Sequence, residues 1–222
     1  MTVKQEPIFQ TFHPVISTWF RKNFSEPTPP QAQGWPLIAA GNNVLLLAPT
    51  GSGKTLAAFL KCLDWLYHEV EAGRTVGDGV KVLYISPLKA LNNDINRNLE
   101  KPLQEIEATG REMGHNLPKL ITAVRTGDTP ANERQRMLRW PPQILITTPE
   151  SLYLMLSSQA RKILKTVRFV IVDEIHTLFP TKRGAHLALS LERLEHLAGG
   201  SGLQRIGLSA TMRPLEAVAA YL

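Results

Sequence analysis

The chain has 222 residues, of which 43% are hydrophobic and 20% charged. It is therefore long and apolar enough to bury a substantial core, and we expect a folded protein rather than a disordered one. A single cysteine, Cys62, excludes a disulfide framework, leaves a thiolate zinc site without partners, and fits a reducing compartment. The first ten residues lack a signal-peptide core, and no stretch approaches ~18 consecutive apolar residues, so we expect a soluble cytoplasmic protein with no membrane partner.

The net charge of +6 is distributed unevenly along the chain. Lysine and arginine balance aspartate and glutamate at 11 against 11 over residues 1–118 and at 3 against 3 over 184–222, but number 11 against 5 over 119–183. A polyanionic partner would explain this basic segment, and so would a set of solvated helix faces. Its position relative to the motifs has to decide between them.

Apolar runs alternate with helical patterns along most of the chain. The runs are continuous, which is typical of strands buried on both faces of a parallel sheet. Six strands are predicted: 43–48, 80–86, 119–124, 143–147, 167–172 and 203–208. Helical spacing follows Lys54, with apolar residues at 56, 59, 60, 63 and 66, and again after Gly184. The sequence therefore predicts an α/β fold with a mostly parallel sheet and helices on both faces.

The first 40 residues lack a convincing strand. Helical segments are predicted at 13–23 and 30–39. We therefore expect an N-terminal helical segment over residues 1–40 and an α/β domain over residues 41–222.

A glycine-rich loop joins the first predicted strand to the first long helix. Its sequence is Ala48-Pro-Thr-Gly-Ser-Gly-Lys-Thr55. Small residues let consecutive backbone N–H groups surround a phosphate, and the helix N-terminus adds the positive end of its dipole. An ordinary helix-capping turn could also contain Gly-Ser-Gly, but the Lys-Thr pair and the preceding strand favour a P-loop. The predicted ATP-binding residues here are Thr50, Gly51, Ser52, Gly53, Lys54 and Thr55, with Lys54 on the β- and γ-phosphates and Thr55 on Mg²⁺.

Two carboxylates follow the fifth predicted strand, in Phe169-Val-Ile-Val-Asp-Glu-Ile-His176. Doubly wound folds bind ligands at the carboxyl edge of the sheet, where this pair is expected to lie. Asp173 is predicted to hold Mg²⁺, and Glu174 to orient and deprotonate the attacking water. With Lys54, they form the predicted catalytic set. A strand ending in Asp-Glu is often only a solvated strand end, and the P-loop upstream is what favours catalysis.

The P-loop, Asp-Glu-Ile-His and Ser209-Ala-Thr211, in this order, resemble motifs I, II and III of superfamily 2 helicases, whose ATP-binding domains are RecA-like. The resemblance implies ATP and Mg²⁺ as cofactors. It implies that Gln31, in Pro29-Pro-Gln-Ala-Gln33, reads adenine, although this residue could also be a helix-surface glutamine. An aromatic ring, Phe12 or Phe24, would stack on the base. His176 would belong to the ATP site and could link it to the coupling residues Ser209, Ala210 and Thr211, or it could simply be a hydrogen-bonded histidine at a strand end.

Three further strings resemble the motifs with which this superfamily grips a nucleic-acid backbone. They are Pro87–Leu91, Thr126–Asp128 and Thr148–Glu150, and each follows a predicted strand. The basic segment contains the last two and ends at Lys182-Arg183, so its excess charge is interpreted as a nucleic-acid surface. The predicted contact residues are Lys89, Arg125, Thr126, Gly127, Thr148, Pro149, Glu150, Lys182 and Arg183.

Longer strings, such as Thr147-Thr-Pro-Glu-Ser-Leu-Tyr153 and Lys182-Arg-Gly-Ala-His-Leu187, resemble the large helicase-related (Lhr) family of DNA-repair helicases. This resemblance covers nearly the whole chain. It implies an ATP-dependent DNA helicase or translocase that acts on single-stranded or partly duplex DNA rather than RNA. Motifs IV to VI and the arginine finger of a second RecA-like domain do not follow motif III, so we expect that domain to be supplied in cis or in trans and the isolated chain to be weakly active or inactive. The alternatives are a stand-alone ATP-responsive nucleic-acid-binding module and an RNA helicase domain.

Overall fold

The computed structural model describes residues 6–87, 89–200, 202–210 and 215–222. A single six-stranded sheet organises them, in the order β1-β6-β5-β2-β4-β3, and every pairing between its strands is parallel. Its strands are β1 Val44–Leu47, β2 Val82–Ile85, β3 Thr122–Arg125, β4 Ile144–Thr147, β5 Phe169–Val172 and β6 Gln204–Ser209. Each overlaps a predicted strand, so the predicted α/β fold with a parallel sheet is confirmed.

Helices connect the strands and cover both faces of the sheet. The helices are α1 Glu6–Phe9, α2 Pro14–Asn23, α3 Pro29–Ala39, α4 Lys54–Glu71, α5 Lys89–Glu112, α6 Ala131–Arg139, α7 Pro149–Leu156, α8 Ile175–Leu178, α9 Lys182–Leu197 and α10 Leu215–Tyr221, with a 3₁₀ turn at Gln159–Leu164. Among the described residues, no helix combines the length and the apolar character needed to cross a membrane.

The strands alternate their side chains between two hydrophobic layers. Val82 and Tyr84 of β2 face the layer formed with α1 to α5, whereas Leu83 and Ile85 face the layer formed with α7 to α10. Burial on both faces of β2, β4, β5 and β6 explains their largely continuous apolar runs. It also leaves the strand ends, rather than the strand faces, as the places where polar side chains can gather.

The N-terminal helices pack on the same layer as α4 and α5. The indole N–H of Trp35 in α3 donates to the carbonyl of Ala57 in α4 at 3.1 Å. Trp19 of α2 is 2% exposed, and its indole donates to Glu105 of α5 at 2.9 Å. The two predicted N-terminal helices therefore share the hydrophobic core of the sheet.

Candidate nucleotide site and nucleic-acid edge

The P-loop joins β1 to α4 at the carboxyl edge of the sheet. Gly51 and Gly53 adopt left-handed backbone conformations, with φ of 81° and 85°. Gly53 has a second reason to lack a side chain, because a Cβ there would lie 2.8 Å from Nε2 of Gln31. The loop conformation thus depends on glycine both for its backbone angles and for the close approach of α3.

Lys54 begins α4 and folds back over the loop. Its side chain is 8% exposed, and its ammonium donates to the carbonyl oxygens of Ala48 and, at 2.9 Å, of Pro49. These neutral carbonyls satisfy two of the three ammonium protons but carry no negative charge themselves. An anionic phosphate in the loop would be a stronger acceptor for the same group.

Gln31 lies against the P-loop instead of facing an open surface. It is 3% exposed; its Oε1 accepts from the backbone N–H of Thr28 at 2.9 Å, and its Nε2 lies 3.5 Å from the carbonyl oxygen of Gly53. The side chain therefore helps to cap α3 and connects that helix to the loop. Of the two candidate stacking rings, Phe12 is buried beneath the Lys61 ammonium and Phe24 is 40% exposed.

Asp173 directly follows β5, lines the same cavity as the P-loop and is 8% exposed. Its Oδ2 accepts from the hydroxyl of Tyr84, and its Oδ1 accepts from the backbone N–H of Glu174 at 2.8 Å. Burial raises the pKa of the Asp173 carboxyl, while the Tyr84 hydrogen bond opposes that rise. The Asp173 carboxylate and the Thr55 hydroxyl are hard oxygen donors of the kind Mg²⁺ takes, so the donor set fits that ion.

Glu174 and His176 connect the end of β5 to the end of β6. Within the described residues, Glu174 is the one non-glycine with a positive φ, at 50°, and its Oε2 lies 3.1 Å from Nε2 of His176. Nδ1 of His176 accepts from the backbone N–H of Ala210 at 3.3 Å and lies 3.4 Å from Oγ of Ser209. With Nδ1 as the acceptor, Nε2 carries the proton and donates to Glu174. The third coupling residue, Thr211, lies outside the described residues.

The P-loop, Asp173 and Glu174 line one cavity of about 500 Å³. Its polar wall is formed by Thr50, Gly51, Gly53, Lys54, Thr55, Asp173 and Glu174, and its apolar wall by Leu56, Phe59, Ile95, Leu99 and Pro102. A volume of this size is typical of small-molecule sites. The predicted catalytic residues, 119 positions apart in the sequence, thus meet at a single opening.

The first proposed nucleic-acid loop follows β3 at the same sheet edge. Arg134 of α6 holds it by donating to the carbonyl oxygens of Thr129 and Gly127, each at 2.7 Å. Arg125 is partly buried; one of its terminal nitrogens, Nη1, is enclosed without a hydrogen-bond partner among the described residues, and burial lowers the pKa of its guanidinium. The loop containing Thr126 and Gly127 is therefore preorganised by one arginine and flanked by another.

The second proposed loop follows β4 and opens α7. Thr148 caps this helix by accepting from the N–H of Ser151 at 3.3 Å, and Pro149 occupies its first turn. Arg183, at the start of α9, forms a two-point ion pair with Glu150, with Nη2 3.0 Å from Oε2. Both residues were predicted to contact nucleic acid, and in this conformation they bind each other. Lys182 begins α9, and the side chain of Lys89 lies outside the described residues.

Sequence reasoning missed Tyr84 as part of the nucleotide site and Arg134 as the organiser of the β3 loop. Tyr84 lies within an apolar run of the sequence, where a tyrosine is normally interpreted as a residue of the hydrophobic core. The parallel register could have revealed it, because Tyr84 pairs with Ile171 and so faces the same side of the sheet as Asp173, two residues further on. Arg134 had been counted only as one charge in the basic segment.

Comparison with known proteins places these residues in a family. The DEAD/DEAH box helicase family matches residues 28–218. The chain is 54% identical to a Mycolicibacterium smegmatis protein named Lhr helicase/probable uracil glycosylase, over 95% of this chain and 14% of that protein. It is 51% identical to the ATP-dependent helicase Lhr-Core of Methanothermobacter thermautotrophicus, over 100% of this chain and 26% of the relative.

A solved structure shows the same fold. Mycobacterium smegmatis helicase Lhr, bound to single-stranded DNA and AMP-PNP, superposes with a TM-score of 0.90 and 52% identity, over 97% of this chain and 27% of that chain. The 222 residues thus span about a quarter or less of the length of these relatives. The family match covers more than half of this chain, and its fold is the RecA-like fold of the solved helicase. The chain belongs to the DEAD/DEAH box helicase family.

Proposed function

We propose that this chain is the ATP-binding motor domain of an ATP-dependent DNA helicase or translocase. The observation that supports this most is the convergence of Lys54, Thr55, Asp173 and Glu174 on one cavity at the carboxyl edge of the sheet. The hydrogen bond from Ala210 to His176, which in turn lies against Glu174, gives the end of β6 a direct route to the nucleotide site. The same edge carries the two loops proposed to hold a nucleic-acid backbone.

The polar residues of the site have separate roles in this proposal. Lys54 exchanges its carbonyl acceptors for the β- and γ-phosphates, and the backbone of Thr50 to Gly53 surrounds them. Thr55 and Asp173 would hold Mg²⁺, which would neutralise phosphate charge. Glu174 orients the attacking water and accepts its proton, while His176 holds the Glu174 carboxylate in place.

The proposed partners are a strand of DNA and a second RecA-like domain, supplied in cis or in trans. A DNA substrate is supported by the relative's structure with single-stranded DNA. A role in DNA repair is supported by the relative whose name joins a helicase to a uracil glycosylase. The proposed contacts are to phosphates, so they position a strand without reading its sequence.

Nucleotide binding is the direct test. A fluorescent ATP analogue with Mg²⁺ should bind the 222-residue chain, and Lys54→Ala should weaken binding at least tenfold, roughly the loss of one hydrogen bond to a charged group. Lys22→Ala, on the exposed surface of α2, is the matched control because it removes the same charge elsewhere. Equal affinity of wild type and Lys54→Ala would exclude the proposed site.

A further inference from the structure

Tyr84 is a buried polar side chain inside the nucleotide site. It lies on β2 with no exposed surface, and its ring stacks on Phe59 of α4 with centroids 5.0 Å apart and planes 9° from parallel. Its hydroxyl donates to Oδ2 of Asp173 and also interacts with the side chain of Thr55. One hydroxyl therefore forms a hydrogen bond with one of the residues proposed to hold the cation and interacts with the other.

The surrounding structure fixes where this hydroxyl can be. The β2–β5 register places Tyr84 beside Ile171, and Asp173 extends from the same face two residues later. Phe59 covers the ring from α4, the helix that begins at the P-loop. Sheet and helix together hold the phenol rigidly, so the hydroxyl can fix the distance between groups on β5 and α4.

The hydrogen-bonding capacity of a phenol matches this arrangement. Tyr84 has one proton, which it donates to Asp173, and its oxygen can still accept from the Thr55 hydroxyl. A Thr55 hydroxyl that donates to Tyr84 keeps its oxygen lone pairs for a cation. The Asp173 carboxylate, with one hydrogen bond on each oxygen, also keeps a lone pair on each.

We propose that Tyr84 is a positioning residue, which holds Asp173 and Thr55 in a fixed relation so that they bind the divalent cation of the nucleotide together. This inference rests on the proposed ATP site and adds to it a residue outside the helicase motifs. Residues of this kind, which orient cation-binding groups without touching the cation, typically contribute 10- to 100-fold to metal affinity.

The Mg²⁺ requirement for nucleotide binding tests the proposal. Binding of a fluorescent ATP analogue is measured at increasing Mg²⁺ and, separately, in EDTA. Tyr84→Phe keeps the ring on Phe59 and removes only the hydroxyl, so it should raise the Mg²⁺ concentration for half-maximal binding about 10-fold and leave binding in EDTA unchanged. The control is Tyr67→Phe, since Tyr67 is equally buried, in α4, outside the cavity lining.

A second background separates positioning from packing. In Asp173→Asn, the Tyr84→Phe change should have little further effect on the Mg²⁺ requirement, because the carboxylate that Tyr84 positions is gone. An unchanged Mg²⁺ requirement in Tyr84→Phe, or an equal 10-fold effect in both backgrounds, would overturn the role of Tyr84 while the ATP site stands. Failure of the wild-type chain to bind nucleotide at all would remove the proposed function, and this inference with it.

Discussion

The two halves of the carboxyl edge treat their charged groups differently. In the nucleotide half, the Lys54 ammonium donates to neutral backbone carbonyls, and Asp173 has neutral hydrogen-bond donors while burial raises its pKa. In the β3–β4 half, Arg183 pairs with Glu150, and this hydrogen-bonded ion pair lowers the pKa of Glu150. The first half holds two opposite charges, Lys54 and Asp173, that attract each other without forming a direct ion pair. The second half contains a direct ion pair, in which Glu150 neutralises Arg183.

This difference shows what a charge count can and cannot predict. Charges held by neutral partners in a buried site gain most from an ionic ligand, because the interior dielectric strengthens the new interaction. A surface arginine already paired with a carboxylate must break that pair before it can bind a phosphate. The nucleotide half is therefore preorganised for a ligand, whereas phosphate binding by Arg183 in the nucleic-acid half depends on an exchange of partners.

The largest expected effect is on the rate of ATP hydrolysis, because the nucleotide half lacks a second cation for the transferred phosphoryl group. Of the residues that line the cavity in the described part of the chain, Lys54 alone is cationic. Charge that develops on the transferred phosphoryl group needs a further cation, and in related nucleotidases an arginine supplied by a partner increases the rate roughly 10³- to 10⁵-fold. The 222-residue chain should hydrolyse ATP slowly, and a second RecA-like domain added in trans should accelerate it within that range, as measured by phosphate release.

Glu174→Gln serves as the control for that acceleration, because it should remove the gain and leave nucleotide binding largely intact. Robust DNA-stimulated hydrolysis by the 222-residue chain alone, abolished in Lys54→Ala, would show that no further cation is needed. Slow hydrolysis that stays slow with the second domain would favour a stand-alone ATP-responsive binding module.

A smaller effect, on DNA affinity, is expected when the Glu150–Arg183 ion pair of the nucleic-acid half is removed. Glu150→Gln should free Arg183, strengthen binding of single-stranded DNA about threefold at low salt, and make the log–log salt dependence steeper by about one. Fluorescence anisotropy of a labelled oligonucleotide measures both. Glu112→Gln is the matched control, because it changes net charge equally and frees Lys22 from an exposed pair on α2 and α5. Identical gains in the two variants would mean that only total charge matters.

The sequence predicted the features that depend on a local pattern of residue types. It did not predict contacts between side chains that are distant in the sequence. The strands β2, β4, β5 and β6 could be predicted because burial on both faces favours continuous apolar runs, and the P-loop because its glycines and Lys-Thr follow a strand. Glu150 and Arg183 are 33 residues apart in the sequence, and no local pattern indicates with which basic side chain a carboxylate will form an ion pair. Tyr84 was missed for the related reason that strand burial alone does not show which side chain reaches its hydroxyl.

Removing the buried carboxylate should stabilise the chain in the absence of nucleotide. The folded-state pKa of Asp173 is raised, so its ionised form opposes folding, and this destabilisation grows as pH rises from the unfolded-state pKa through the folded-state value. Asp173→Asn removes that charge, and its amide can still accept from Glu174 and donate to Tyr84. We expect a higher melting temperature at pH 7, by about 2–4 °C for each kcal/mol recovered. A lower melting temperature would show that the carboxylate is compensated within the fold.

The smallest expected effect is on the free energy of unfolding, when the Glu150–Arg183 ion pair of the nucleic-acid half is removed. The Glu150 and Arg183 side chains are 54% and 38% exposed, so solvent screens their attraction, and Glu150→Gln should cost about 0.2–1 kcal/mol at pH 7. Because the folded-state pKa of Glu150 is lowered, this stability is fully present above the unfolded-state pKa and disappears as pH falls through the folded-state value. Urea unfolding of wild type and Glu150→Gln should therefore differ at pH 7 and converge in acid, and 1 M salt at pH 7 should reduce the difference in the same way. A difference that persists in acid would mean that Glu150 stabilises the first turn of α7 by packing, and the contrast between the two halves of the edge would then rest on the nucleotide site alone.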